Sequence, residues 1–103
     1  MPKKDRTFEA QMAPVVLKVL DSSPTGVMSI DSIISKVPDF TGLTEGDLQP
    51  SKTREGEALW EQIVRNIRSH SKDAGNYIHE GYISEVDGGL KITSAGRTKA
   101  QSL

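Results

Sequence analysis

The sequence predicts a small α+β fold that is mostly helical. Three stretches carry apolar residues at helical spacing, and two short alternating runs near the end flank a glycine-rich turn. The chain has 103 residues, enough for one domain with a modest core. We therefore expect a flexible, charged tail over residues 1–6 and one folded domain over residues 7–103.

The first helix is predicted from apolar residues that recur three and four positions apart. They are Phe8, Met12, Val15, Val16, Val19 and Leu20. Because proline is best tolerated in the first turn of a helix, Pro14 suggests that the regular part begins near Ala13. The turn residues of 21–26 end this helix, and Val27 and Met28 are predicted to form a very short strand.

A short second helix is predicted next. Ser29 is a favoured residue type at a helix N-cap. The apolar positions that follow it fit one helix face and are Ile30, Ile33, Ile34 and Val37. Pro38 is expected to stop the helix. Residues 38–56 are mostly polar and are predicted to form a loop. Within it, Thr44 and Asp47 have the spacing of a capping box over a single helical turn.

The strongest helix signal starts near Gly56. Its apolar stripe consists of Leu59, Trp60, Ile63, Val64 and Ile67. The pattern extends towards Ile78, but Gly75 is expected to break or bend the helix. A short fourth helix is predicted over residues 75–80 and ends at Gly81. Trp60 lies on the apolar stripe, so we interpret it as a core residue rather than a base-stacking one.

A β-hairpin and a last helix complete the chain. Residues 82–85 and 90–93 alternate in polarity around the turn 86–89, which is typical of a hairpin. Thr93 is suited to cap a final helix from Ser94 to about Gln101. The order helix, strand, helix, loop, long helix, hairpin, helix is that of a winged helix-turn-helix. In that arrangement the C-terminal hairpin is the wing and the last helix closes the domain.

Three segments carry a family resemblance. They are residues 12–20, residues 60–67 followed by Gly81-Tyr82-Ile83, and residues 90–97, with their Ile-Thr-x-x-Gly-Arg ending. Together they resemble the winged-helix domain at the N-terminus of Mrr-type restriction proteins, over most of residues 10–98. The stretch between Ile67 and Gly81 is longer than in the family pattern. The resemblance implies DNA binding, often beside a nuclease that recognises modified DNA. No nuclease domain lies in these residues, so we expect a fragment of a longer protein or a stand-alone module.

Charge and composition exclude some of the functional classes to which the chain could belong. The formal net charge is -1 and the isoelectric point about 6.1, which argues against nonspecific coating of nucleic acid but leaves room for a local basic face. The absence of cysteine excludes disulfides and thiolate metal sites and favours a cytoplasmic location. No apolar run approaches the length of about 20 residues that a membrane span needs, so no membrane partner is expected.

The main candidates for DNA contact follow the long helix. They are Arg65, Asn66, Arg68, Ser69 and Lys72. Arginine can bind phosphate or a guanine edge through two hydrogen bonds, and asparagine can do the same for adenine. The alternative is a solvated helix face whose charge is balanced by Glu57 and Glu61.

Two further places offer cations for phosphate. Lys52 and Arg54 precede the long helix, and a helix N-terminus favours anions, although neighbouring glutamates oppose this and a solvated loop is the alternative. Lys91 lies on the predicted wing, where Asp87 would repel a DNA backbone. A plain hairpin turn is the alternative there.

Catalytic and metal sites find little support in the sequence. His70 and His79 are the only histidines, and their spacing suits no zinc site, so we interpret them as surface residues. Ser69 and Ser71 are adjacent to His70 on a helix and point in other directions, which excludes a triad. We expect no cofactor and no enzymatic activity.

The leading prediction is therefore a module that binds double-stranded DNA, plain or modified, in a restriction or defence system or in transcription control. The rival is a winged helix used for protein contact, for example in a homodimer, which the net charge of -1 favours. A small enzyme is the third class, and it lacks the clustered catalytic residue types that an active site needs.

Overall fold

Four helices and a three-stranded antiparallel sheet make up the part of the chain that the structure, a computed structural model, describes: residues 9–43, 48–50 and 56–103. The elements in chain order are α1 (Glu9–Asp21), β1 (Val27–Ser29), α2 (Ile30–Phe40), α3 (Leu59–Ser69), β2 (Ile83–Val86), β3 (Gly89–Ile92) and α4 (Ser94–Gln101). The predicted tail over 1–6 and the predicted turn at Thr44–Asp47 lie outside the described residues.

The sheet has the strand order β1-β3-β2, with β3 antiparallel to both neighbours. Val86 pairs with Gly89, so the connection between β2 and β3 is the two-residue turn Asp87-Gly88, in which Gly88 has φ of 75°. Gly88 supplies the left-handed backbone of this turn, which glycine adopts without steric cost, whereas no non-glycine residue in the described ranges has a positive φ. The predicted hairpin is confirmed, and its turn is tighter than expected.

One hydrophobic core joins the helices to the sheet. Helix α1 packs against α2, α3, α4 and β3, and its residues Val16, Leu17, Val19 and Leu20 are fully buried. Trp60 is buried in the same core, as predicted. The burial of α1 between the other elements makes it the centre of the molecule.

Both helices that contain a proline extend further than expected. Helix α1 includes Glu9, which places Pro14 in its second turn. Helix α2 runs past Pro38 to Phe40, and its last turn is closed by the Thr41 N–H, which donates to Val37 O at 3.1 Å. Each proline removes one helical hydrogen bond. The residues preceding them, Ala13 and Val37, are buried, so core packing holds the helical backbone there.

The N-terminus of α2 is capped as predicted. Ser29 Oγ accepts a hydrogen bond from the Ser32 N–H at 3.1 Å. Helix α3 starts at Leu59 rather than near Gly56, which has φ of 82° and is therefore outside the helical region. The Leu59 N–H donates to Gln49 O at 2.6 Å and so ties the start of α3 to the preceding loop.

The predicted short helix over 75–80 is wrong. Residues 70–81 form successive turns, and a single helical turn is closed where the Glu80 N–H donates to Asn76 O at 2.8 Å. The Asn76 side chain competes for the backbone, because its Oδ1 accepts from the Ile78 N–H at 2.7 Å. Gly81, with φ of 88°, then turns the chain into β2.

Helix α4 begins as predicted, because Thr93 Oγ1 accepts from the Gly96 N–H at 3.0 Å. Across the described ranges, every helix is too short or too polar to cross a lipid bilayer.

Candidate nucleic-acid interface

Helix α3 buries one face and leaves the other in contact with solvent. Its apolar stripe packs into the core, whereas Arg68 and Ser69 at its C-terminal end are exposed. Lys72 was expected on the same helix face, but α3 ends at Ser69, so Lys72 lies exposed in the following turn. Asn66 is half-buried. The exposed polar surface at the end of α3 therefore includes Arg68 and Ser69 on the helix and Lys72 in the turn that follows it.

Arg65 does not stand free on this face. Its Nε donates to Glu57 Oε2 at 2.7 Å, and its Nη2 donates to Asp31 Oδ1 at 3.1 Å. Glu57 thus balances Arg65, as the alternative prediction proposed. Glu61 acts differently, because its Oε1 accepts the Ala58 N–H at 2.9 Å at the start of α3.

The two carboxylates change the electrostatics around Arg65. Burial acts to lower the pKa of Arg65, but the hydrogen bonds to Glu57 and Asp31 and the attraction of both charges raise it above its ordinary value. One cation against two anions leaves this group with a formal charge of -1. Arg65 therefore fixes the first turn of α2 against α3 more than it adds positive charge to the surface.

Arg68 and Lys72 form no ion pair with any residue in the described ranges. Arg68 borders a shallow depression of about 150 Å³ between the start of α2 and the exposed side of α3. The other lining residues are Ile30, Arg65 and Ser69. Ser69 Oγ donates to Arg65 O at 3.4 Å and keeps its acceptor capacity at the surface.

Lys91 lies apart from these residues. It is exposed on β3 and lines a different groove, together with Thr25, Ser84 and Arg97. That groove shares no lining residue with the depression at α3. Lys52 and Arg54 lie outside the described residues. Of the predicted candidates, the structure brings together Arg65, Arg68 and Ser69, and it separates Lys91 from them.

Two charged residues of consequence were not singled out from the sequence. Asp31 pairs with Arg65 across 34 positions of the chain, and Arg97 Nη1 donates to Asp21 Oδ1 at 2.9 Å across 76 positions. Arg97 belongs to the Ile-Thr-x-x-Gly-Arg ending, which was the one available signal for it. Asp31 follows an N-cap, where acidic residues are common, so its residue type predicts no partner.

The histidines are both exposed, as expected. His79 Nδ1 lies 3.1 Å from Glu80 Oε2, and this hydrogen bond, helped by the Gly75 N–H, holds the pKa of Glu80 below its usual value. No group of three or more His, Asp or Glu residues that could hold a metal ion occurs within residues 9–43, 48–50 and 56–103.

Comparisons of the chain with models of known families, with characterised proteins and with solved structures find no match.

Proposed function

We propose that the chain is a winged-helix domain that binds double-stranded DNA through the exposed end of α3. The observation that carries the proposal is the order α1-β1-α2-α3-β2-β3-α4 combined with the strand order β1-β3-β2. In such an arrangement α2 and α3 form a helix-turn-helix whose second helix docks in the major groove. The β2-β3 hairpin is then the wing.

The cations near the end of α3 that form no ion pair with a described residue define the proposed docking side. Arg68 would contact phosphate or a guanine edge, and Lys72 would contact phosphate. Arg65 would act by positioning, since Asp31 and Glu57 hold its guanidinium and with it the angle between α2 and α3. Asn66, half-buried on the same helix, is the candidate for a direct contact with adenine.

The low net charge makes DNA affinity depend on a few local contacts. If Arg68 and Lys72 provide two cationic contacts, the logarithm of the affinity falls with the logarithm of salt with a slope of about -2. A domain that coats DNA through a large basic surface would show a much steeper slope.

The proposal covers two biological settings, between which the sequence does not choose. One is defence that reads modified DNA, which the resemblance to Mrr-type restriction proteins implies, and the other is transcription control. A preference for a methylated duplex would favour the first, and equal binding of methylated and plain duplexes of one sequence would favour the second.

Fluorescence anisotropy with a short labelled duplex tests the proposal. We expect binding at low salt that weakens as salt rises. Arg68→Ala and Lys72→Ala should each reduce the salt slope by about 1, because each removes one phosphate-contacting charge. Lys18→Ala is the matched control, since Lys18 is an exposed lysine on α1 that is not among the proposed contact residues, and its removal should leave binding unchanged. Absence of binding at low salt, or equal binding by the Arg68→Ala/Lys72→Ala double variant, would contradict the proposal.

A protein-contact function is the second candidate, and exposed apolar side chains favour it. Phe40 at the end of α2 is 40% exposed, and Leu48 in the following loop is 58% exposed. If these residues bind a second copy of the chain, the molar mass measured by light scattering should rise with concentration. Phe40→Ser should then abolish the rise. A constant monomer mass would exclude the homodimer.

A further inference from the structure

The solvent-facing side of the sheet has a polar surface that is separate from the exposed end of α3. In the register of the sheet, Lys91 on β3 lies between Val27 on β1 and Ser84 on β2. Side chains alternate between the faces of a strand, so these three residues lie on the face opposite to the buried Leu90 and Ile92. This face points away from the core.

A groove of about 450 Å³ lies on this face where the sheet meets the start of α4. Its polar lining residues are Thr25, Ser84, Lys91, Thr93, Ser94 and Arg97. The lining contains two cations and four hydroxyl groups and no carboxylate. Thr93 Oγ1 is already committed to the Gly81 and Tyr82 carbonyls and to the Gly96 N–H.

Several donors in this groove are available. Lys91 is exposed and forms no ion pair with a described residue. The side-chain hydroxyls of Ser84 and Ser94 likewise make no hydrogen bond with a described residue. Arg97 uses Nη1 to bind Asp21. Its Nη2 lies so close to Gly26 that a Cβ built on Gly26 would be only 2.9 Å from it. Glycine at this position therefore lets the guanidinium approach the sheet.

The charges in and beside the groove favour an anion. Asp21 offsets one of the two cations, so the group of Lys91, Arg97 and Asp21 has a formal charge of +1. Lysine and hydroxyl groups around an arginine supply several hydrogen-bond donors, which is the chemistry that recognises phosphate oxygens.

We propose that this groove binds a phosphate group, with Lys91 as the principal charge and Ser84, Ser94 and Arg97 Nη2 as further donors. The phosphate comes from a phosphomonoester or from the phosphodiester backbone of a nucleic acid. The proposal adds a second site to the one at α3 and does not depend on DNA docking by α3.

Amide NMR titration tests the site, with inorganic phosphate as one probe and a trinucleotide of DNA lacking terminal phosphate as the other. At constant ionic strength, we expect saturable shifts at Thr25, Ser84, Lys91 and Ser94. Lys91→Ala should weaken binding about fivefold, the order of one solvent-exposed charge contact. Lys36→Ala removes an exposed lysine of α2 instead and should leave the titration unchanged.

The two probes separate the sources of phosphate. Tighter binding of inorganic phosphate indicates a monoester site, and tighter binding of the trinucleotide indicates a backbone site; either result supports the proposal. Arg68→Ala should leave both titrations unchanged, which distinguishes this groove from the surface at α3. Shifts that do not saturate with either probe, that chloride reproduces, or whose midpoint is the same in Lys91→Ala as in the unchanged chain would overturn the proposal.

Discussion

Asn76 is the one polar side chain that is buried in the described part of the chain, with 7% of its surface exposed. Its Nδ2 donates to Ile67 O at 2.8 Å. This carbonyl lies in the last turn of α3, and because the helix ends at Ser69 it cannot accept the hydrogen bond that a longer helix would supply. Its Oδ1 accepts from the Ile78 N–H. A single amide thus satisfies the end of α3 and shapes the turn that replaces a fourth helix.

Replacing Asn76 by alanine should lower the free energy of unfolding by about 1–3 kcal/mol, because the Ile67 carbonyl would remain buried without its partner. Urea denaturation measures this change. Asn66→Ala removes the same amide from a half-buried position of α3 where its side chain makes no hydrogen bond with a described residue. It should change stability by less than about 0.5 kcal/mol. Equal effects of the two substitutions would show that the Asn76 hydrogen bonds contribute nothing.

At the scale of elements, the junction between β3 and α4 explains the Ile-Thr-x-x-Gly-Arg sequence. Ile92 is buried in the core, and Thr93 caps α4 while its hydroxyl donates to the Gly81 carbonyl at 2.6 Å. Gly96 lies against the backbone of Tyr82. Arg97 binds Asp21 at the end of α1. The motif therefore joins the start of α4 to three places: the hydrophobic core, the Gly81-Tyr82 backbone and the end of α1.

The sign of the change in unfolding free energy on Gly96→Ala tests how closely α4 packs on the hairpin. In an ordinary helix, alanine would be more stable than glycine by about 1 kcal/mol. Here a Cβ would clash with the Tyr82 carbonyl oxygen and come within 2.8 Å of Ile92 Cγ1, so α4 would have to move off the hairpin. We expect a loss of about 1–3 kcal/mol in thermal or urea unfolding.

Gly42→Ala is the matched control, because a Cβ at Gly42 has no neighbour within 4 Å. Its effect should stay within about 0.5 kcal/mol. Stabilisation by Gly96→Ala would mean that α4 does not pack as closely on Tyr82 as the structure has it.

At the scale of the whole molecule, one core couples the helices to the sheet. Ile83 on β2 is 1% exposed, and Trp60 on α3 belongs to the same hydrophobic cluster. A single domain of this size usually unfolds in one cooperative transition. Since Trp60 is the only tryptophan, its fluorescence reports on α3 alone.

Ile83→Ala should therefore shift the unfolding midpoint of Trp60 fluorescence as much as that of far-UV circular dichroism. The expected loss is about 2–5 kcal/mol, the usual cost of truncating a fully buried isoleucine. Ser84→Ala changes the next residue, which is exposed on the other face of β2, and should have little effect. A fluorescence midpoint that stays constant in Ile83→Ala would show that α3 unfolds independently of the sheet.

Local signals in the sequence predicted much of the fold. The apolar stripes of α2 and α3, that of α1 from Met12 onwards, the Ser29 and Thr93 caps and the turn at Asp87-Gly88 are all present, and Phe8 lies outside the described residues. Each depends on residues within about one or two helical turns or on the two residues of a hairpin loop, so the chemistry that forms it can be recognised without knowing the fold.

The tertiary structure alone decided the features that depend on residues distant in the chain. Helices α1 and α2 continue through Pro14 and Pro38 because other elements cover their buried faces. Arg65, a candidate for DNA contact by its position on α3, is paired with Asp31 of α2. The sequence by itself determined that α1, α2, α3, the hairpin and α4 form, through short-range hydrogen bonds and apolar periodicity, but not where each helix begins and ends. Which cations remain free for a ligand depends on the packing of separate elements, because that packing sets the distance between charges far apart in sequence.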